Sequence, residues 1–352
     1  MKILITGAAG FIGHALTKAL AANPKIEIVG IDNLNDYYSP RLKEARLADL
    51  GIYAYGDLPA PSSTWPNVRF QKVDIADRKA MEDLMANGQF THVCHLAGQA
   101  GVRYSIDNPY TYVENNVMGF LNILEGCRNH GVKHLVFASS SSVYGMGKQV
   151  PFAESCDTSH PVSLYAATKK SDEVMAYSYA SLYGFQTTAL RFFTVYGPWG
   201  RPDMAPIKFM DAIANGRPIQ VFNQGNMLRD FTYIDDIVEG IVRVMGGAPE
   251  KQNGPDGLPI PPYAVYNIGG GTPENLLDYI TTLQEELVRA GVLPPDYDFD
   301  AHKSLVPMQP GDVPVTYADS TALERDYGFR PEINIRQGLR AFAEWYKAFY
   351  MS

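Results

Sequence analysis

Cysteine is scarce in this chain: Cys94, Cys127 and Cys156 are the only three among 352 residues. Their odd number and wide spacing exclude a disulfide framework as the source of stability, and reduced structural thiols are expected instead. Also missing is any uninterrupted apolar run near the roughly 18 residues that a membrane span needs. In the opening stretch MKILITGAAGFIG, glycines break the apolar residues too early for a secretory signal, so a cytoplasmic protein is expected. Positive charge is in deficit, with 30 Lys and Arg against 38 Asp and Glu, a net charge of -8. That balance argues against nucleic acid as the main partner and requires any bound phosphate to be met by a local pocket. His92 and His95 in HVCH sit in a strand pattern without further ligands, so no metal is expected. Internal repeats and low-complexity tracts are absent too.

What is present is a 46% hydrophobic composition, ample for a large core, and a length of about two domains. KILIT reads as a buried strand, HALTKALAANP as a helix, and IEIVGID as a second strand ending at Asp32. Helical RLKEARLADL, an irregular loop over GIYAYGDLPAPSSTWPN, and strand RFQKVD follow. Helical AMEDLMANG, strand THVCHLAG, helical VMGFLNILEGCRNHG and strand HLVFASS continue the alternation. The expected fold class is α/β, a doubly wound parallel sheet with right-handed crossovers. After the helix carrying SLYAATKKSDEVMAYSYASLYG and strand TTALRFF the alternation lapses, and only two later helices stand out, around 274 to 290 and 335 to 349. A smaller C-terminal α/β lobe is therefore expected. The boundary is drawn between residues 1–190 and 191–352, with parts of 230–270 returning to the first domain.

Between the first strand and helix, TGAAGFIG spaces Gly7, Gly10 and Gly13 as G-x-x-G-x-x-G. Glycines there permit a tight turn, close approach of backbone to a pyrophosphate and close helix-to-strand packing, while the helix N-terminus attracts the anion. Asp32, 19 residues beyond Gly13 at a strand end, suits the adenosine ribose hydroxyls and repels a 2'-phosphate, favouring NAD over NADP. Asp74 closes the next strand, followed by Ile75, where adenine can lie. The alternative for Asp74 is the N-cap of the helix in DIADRKAMEDL, and both roles are compatible.

YAATK places Tyr165 and Lys169 four residues apart on one helix face. An ammonium beside a phenol stabilises the phenolate and makes tyrosine a competent base. Upstream lies ASSSSVYG, four hydroxyls at the end of a strand and no carboxylate.

In order, TGAAGFIG, HLAGQAG, NPYTYVENNV, SSSVYG, YAATK, RFFTVYGP, RDFTYIDD, YNIGGG and QPGDV resemble the extended short-chain dehydrogenase/reductase family over nearly the whole chain. Within it the likeness is to the nucleotide-sugar 4-epimerases, above all those acting on UDP-glucuronate. The resemblance implies a Rossmann-type NAD domain, a smaller C-terminal lobe that binds the UDP-sugar, and epimerisation of UDP-glucuronate to UDP-galacturonate. It implies Tyr165 as proton-transfer base, Lys169 as its partner and ribose ligand, and Ser140 as the hydroxyl at the sugar O4. It extends the cofactor contacts to Phe11, Ile12, Asn33, Leu96, Ala97, Gly98, Asn115 and Ala138. The family's sugar dehydratases carry Asp-Glu before the Val-Tyr-Gly and its decarboxylases a Glu, where this chain has Ser141 and Ser142.

For the substrate, the resemblance implies that Ser141, Ser142, Thr194 and Arg201 grip the uronate carboxylate. Strand-end turn chemistry is the alternative for the serines, and a surface loop charge for Arg201. Arg103 is placed on a loop over the site, to meet the carboxylate or the diphosphate, with an acidic neighbour as the alternative partner. Arg229 matches the diphosphate arginine, against a salt bridge to Asp235 or Asp236. Val221, in IQVF, lines the uracil pocket through its backbone, and Asp312 of QPGDV meets the nucleotide ribose. Gln309 stands where galactose-type epimerases carry Arg. Two apolar-faced helices, VMGFLNILEGC and the one bearing YAATK, suit a four-helix homodimer interface. Rival readings are a UDP-galactose 4-epimerase or UDP-glucuronate decarboxylase of this fold, and an NAD-sensing regulatory protein.

Overall fold

The four-residue core of the first strand, Ile3 to Thr6, is wholly buried on both faces, as expected of a central strand in a parallel sheet. In the computed structural model, which describes residues 1–147, 149–308 and 314–351, this strand is β1 (Lys2–Thr6). β2 (Glu27–Asp32), β3 (Ala60–Pro61), β4 (Val68–Lys72), β5 (His92–His95), β6 (His134–Ser140) and β7 (Gln186–Phe192) follow. With the strand Tyr263–Ile268 they form one eight-stranded sheet in the order Tyr263–Ile268, β7, β6, β5, β1, β2, β4, β3. The pairs β1–β2, β1–β5, β2–β4, β5–β6 and β6–β7 are parallel, and the two-residue β3 runs antiparallel to β4.

The strand order reverses at β1, where the chain leaves first toward β2 and later toward β5. That reversal opens a crevice at the carboxyl end of β1, the usual ligand position in a doubly wound sheet. The expected α/β Rossmann-type class is therefore the observed one.

The connecting helices are α1 (Phe11–Ala21), α2 (Pro40–Asp49), α3 (Arg78–Gly88), the single turns α4 (Tyr104–Asp107) and α5 (Pro109–Tyr112), α6 (Gly119–Asn129) and α7 (Leu164–Tyr183). Between α5 and α6 the helix widens into a π segment, Val113–Met118. Local chemistry sets the ends. Asp77, not Asp74, caps α3 by accepting from the Ala80 amide at 3.0 Å. Ser163 caps α7, which stops at Gly184 with φ +71°. One apolar cluster joins Leu4, Val29, Ile31, Val93, Leu135 and Phe137 of the sheet to Met81, Met85, Phe120, Ile123 and Leu124 of α3 and α6.

The chain divides into two units, Met1–Gly145 with Asp157–Phe192 and Val238–Tyr266, and Met146–Cys156 with Phe193–Ile237 and Asn267–Ser352. The second unit contains more helix than expected. Besides α10 (Leu276–Arg289) and α12 (Ile335–Tyr350), α8 (Ala205–Ala214) and α11 (Thr321–Tyr327) lie in it, and α9 (Ile234–Gly246) begins there. α8 starts at Ala205 with Pro206 behind it, because proline is well tolerated in a first helical turn. Ile234, Ile237, Val238, Ile241, Val244 and Met245 give α9 a buried stripe at three-to-four spacing.

Asp230 is the second unit's polar hub. Its buried carboxylate accepts from the amides of Gly270 at 2.7 Å, Gly271 at 3.1 Å and Ala318 at 2.9 Å, and from the Thr232 hydroxyl at 3.1 Å. Beside it Phe231 stacks on Tyr279, with centroids 4.1 Å apart.

Candidate active site

Gly7, at φ +71°, ends β1, and a Cβ there would meet the Ala97 amide at 2.8 Å. A side chain on Gly13 would collide with the Gly7 carbonyl at 2.1 Å, so only glycine lets α1 start against the turn. Gly10 caps α1 without a side chain, and its amide donates to the Gly7 carbonyl at 2.8 Å. No acidic residue occupies the first turn, which holds Phe11 and Ile12. This is a bare helix N-terminus with close backbone approach, the form that fits a dinucleotide pyrophosphate.

The floor beside it is stitched by a residue that sequence reasoning missed. The Thr6 hydroxyl accepts from the amides of Leu96 at 3.2 Å and Ala97 at 3.1 Å and pairs with His95 Nδ1 at 2.8 Å. Burial pushes the His95 imidazole down to about 3, so it is neutral.

Asp32 lies at the end of β2, nearly buried, and accepts from the Leu34 amide at 2.8 Å. Lys43 of α2 approaches it at 3.5 Å while donating to the Asn35 side chain at 2.8 Å. Fully buried Arg46 donates to the Ala9 carbonyl at 2.9 Å and to the Tyr38 hydroxyl at 2.7 Å. These two cations lie at or near the phosphate loop despite the chain's negative balance, and the helical pattern alone did not single them out. Asp74 takes the Asn33 amide group at 3.0 Å and the Ala76 amide at 2.8 Å, so its carboxylate joins the ends of β2 and β4. Ile75, next to it, is buried.

Lys169 is buried on α7 and donates to the Ala138 carbonyl at 3.0 Å and to Asp172 at 3.2 Å. At Gly98, φ +155°, an added Cβ would stand 3.5 Å from the Lys169 ammonium and 3.0 Å from Asn116 Oδ1. Asn116, rather than Asn115, is therefore the asparagine that reaches this point. Its amide accepts from Gln99 N at 2.7 Å and donates to the Gln99 carbonyl and the Thr168 hydroxyl, each at 3.0 Å. Asn115 turns back to the Thr111 carbonyl at 2.8 Å. Both lie within the π segment, a widening common at functional sites. One turn before Lys169, Tyr165 is half-buried and meets the Tyr112 ring edge-on at 6.1 Å.

The serines at the end of β6 divide by their partners. Ser139 points inward and donates to Glu173 at 2.7 Å. Ser140 caps the short 3-10 turn Ser141–Tyr144, accepting from the Ser142 amide at 3.2 Å, while Ser141 and Ser142 are half-buried. Arg191 grips Glu173 through two nitrogens at 2.8 Å each and donates to the Tyr144 hydroxyl at 3.0 Å, which holds the Val-Tyr-Gly turn down. Burial pushes the Glu173 carboxyl up, but the Arg191 and Ser139 hydrogen bonds overcome it and hold it below its usual range. Arg103 is exposed at the start of α4.

In the second unit, Thr194 opens the strand Thr194–Tyr196 and its amide donates to the Asp230 carbonyl at 3.2 Å. Arg201 is paired within its own loop with Asp203, Nε to Oδ1 at 3.0 Å and Nη2 to Oδ2. Arg229 donates to the carbonyls of Leu228 at 3.1 Å and Pro314 at 3.2 Å, whereas Asp236 accepts the amides of Glu332 and Ile333. Val221 is buried in a strand paired with Lys303–Leu305, and its carbonyl takes the Val306 amide at 3.0 Å. Asp312 and Gln309 lie outside the described residues. Among the described residues no cluster of His, Cys, Asp and Glu is disposed to hold a metal ion.

A dinucleotide loop at the switch point of a doubly wound sheet, with a Tyr and Lys pair on a following helix, defines an NAD-dependent oxidoreductase-type site. The chain belongs to the NAD dependent epimerase/dehydratase family, which it matches over residues 3–269. It is 43% identical to a probable UDP-glucuronate 4-epimerase of Rhizobium meliloti, covering 99% of this chain and 98% of that protein. UDP-glucuronate 4-epimerase 4 of Arabidopsis thaliana is 42% identical over 99% of this chain and 76% of its own length. Among solved structures, the UDP-glucuronic acid 4-epimerase of Bacillus cereus, in complex with UDP-glucuronic acid and NAD, superposes with a TM-score of 0.83. It is 31% identical, with 99% of this chain and 100% of that one covered.

Proposed function

We propose that this chain is a UDP-glucuronate 4-epimerase, interconverting UDP-glucuronate and UDP-galacturonate. The observation that carries the reading is the end of β6. Residues 139 to 142 offer hydroxyls only, and they directly follow Ala138, whose carbonyl accepts from buried Lys169 of α7, one turn from Tyr165. NAD fits the glycine cradle and the Asp32 strand end, and when bound supplies a hydride acceptor that returns the hydride, leaving no net redox change. Tyr165 takes the proton from the sugar 4-hydroxyl and gives it back after the 4-ketone has turned over about its diphosphate linkage. Lys169 stabilises the Tyr165 phenolate, and Ser140 holds O4. With no carboxylate at 141 or 142 to shuttle a proton, elimination of water lacks its catalyst.

The 4-keto uronate loses CO2 when its C5–C6 bond aligns with the carbonyl π system. Ser141, Ser142, Thr194 and Arg201 prevent this by gripping the carboxylate. Because Arg201 is paired with Asp203, the substrate acid must displace or share that partner. Arg229 serves the diphosphate, Arg103 the carboxylate or the diphosphate, Val221 the uracil and Asp312 the nucleotide ribose. The protein acts as a homodimer, supported by exposed Val113 and Met118 on the π segment and Val174 and Tyr177 on α7.

The deciding assay incubates the purified chain with NAD+ and UDP-glucuronate and resolves UDP-galacturonate from UDP-pentose and CO2. UDP-galacturonate is the expected product; release of CO2 or absence of turnover would overturn the reading. Tyr165→Phe should abolish turnover while cofactor stays bound.

A further inference from the structure

We propose that Asp172 is a positioning residue for the Tyr165 base, acting as the buried counter-ion through which Lys169 tunes that base. The inference rests on Tyr165 being the proton-transfer residue.

Two acids stand side by side on α7, and their surroundings differ. Glu173 is fully engaged: Ser139 and Arg191 Nε meet one oxygen at 2.7 and 2.8 Å, while Arg191 Nη2 and Lys170 meet the other at 2.8 and 3.2 Å. Asp172 is 1% exposed and has one partner, the Lys169 ammonium at 3.2 Å on Oδ2; its Oδ1 is buried without a hydrogen-bond donor among the described residues. A half-satisfied buried carboxylate costs stability, and an apolar or small side chain in its place would cost less. Its return is electrostatic. It lies one turn beyond Lys169, as Tyr165 lies one turn before, so helical spacing sets the phenol, the ammonium and the carboxylate along one face of α7.

The ionic surroundings leave these two acids in different states. Desolvation, opposed by Lys169, pushes the Asp172 carboxyl up to about 7, whereas Glu173 is held low. Lys169 and Glu173 act on Asp172 from its own helix. Around them, β5 presents His95, which is neutral; β6 presents Ser139 and the Ala138 carbonyl; β7 presents Arg191; the 3-10 turn presents Tyr144; the π segment presents Asn116; and Tyr263 faces Glu173. Arg191 is already matched by Glu173. The charge left to vary near neutrality is that of Asp172.

The sign follows. Above about pH 7 the Asp172 carboxylate offsets part of the Lys169 field, and the Tyr165 phenolate is less favoured. As the pH falls, Asp172 takes a proton from solvent, the ammonium is unmasked, and the phenolate is favoured as solvent begins to protonate it. Acid loss of the base is thereby spread over a wider range, a coupled titration of the pair.

The test compares the full chain with Asp172→Asn and Asp172→Ser, with NAD+ and UDP-glucuronate, in kcat/KM against pH. A second readout needs no turnover: near-ultraviolet titration of the phenolate, assigned by subtracting Tyr165→Phe. The expected result is an acid limb moved down by about one pH unit and steepened in both variants, with the phenolate signal shifted alike. Superimposable limbs and titrations, or variants that lose activity at every pH equally, would overturn the inference, as would failure of both variants to fold. If the wild type does not epimerise UDP-glucuronate, the functional reading falls, and the absorbance titration alone decides the coupling.

Discussion

Single residues carry the sharpest consequences at the phosphate loop and in the buried ion pair. Gly13→Ala places a methyl group 2.1 Å from the Gly7 carbonyl, so α1 must retreat from the turn. Added NAD raises the melting temperature of a protein that binds it, and this response should vanish in the variant while the unliganded protein still folds. Glu173→Gln leaves the buried Arg191 guanidinium without its counter-charge, and unfolding free energy should drop by about 3 kcal/mol in denaturant titration. Arg201→Ala should raise KM for UDP-glucuronate far more than for a neutral UDP-hexose, because only the acid needs its charge; equal effects would exclude the carboxylate grip. Residue identity was legible where a motif fixes spacing along the chain, as at Gly7, Gly10, Gly13, Tyr165 and Lys169. It was not legible at Thr6, Asn116, Ser139 and Asp172, whose partners lie on other strands or depend on a helix's exact phase. Asn115 and Asn116 are neighbours on the π segment, yet one turns back to Thr111 and the other reaches Thr168.

Elements are tied to one another by a few polar clasps. Asp49 at the end of α2 receives His14 and Lys18 of α1, each at 2.8 Å, and the His14 hydrogen bond, then Lys18, holds its carboxyl down to about 2. A carboxylate more acidic when folded stabilises fully above about pH 4, and that contribution is lost as the pH falls toward 2. Asp49→Asn should therefore flatten stability against pH over this window, as read from urea midpoints. The alternation of strands and helices through β7 was legible because each element carries its own period of apolar residues and each turn its own Gly, Pro or Asp. The second unit was less so. Its strands are two or three residues long and take their order from hubs such as Asp230, whose partners at 270, 271 and 318 are far along the chain.

For the molecule as a whole, the proposed homodimer follows from apolar side chains left in solvent on the π segment and α7. Val174→Glu and Tyr177→Glu together should convert the protein to a monomer in sedimentation, with α7 intact because both side chains are half or more exposed. No helix of the described residues is long and apolar enough to cross a membrane. The sequence by itself determined the α/β class, the dinucleotide loop and the Tyr and Lys pair, since each depends on neighbours within a few residues and on periodicity. Only the tertiary structure decided which serine turns inward, which asparagine reaches Gln99 and Thr168 and which of two adjacent acids stays half-satisfied. Those outcomes are set by contacts between segments that meet in space, where a side chain's surroundings and charge are fixed by packing and not by its place in the chain.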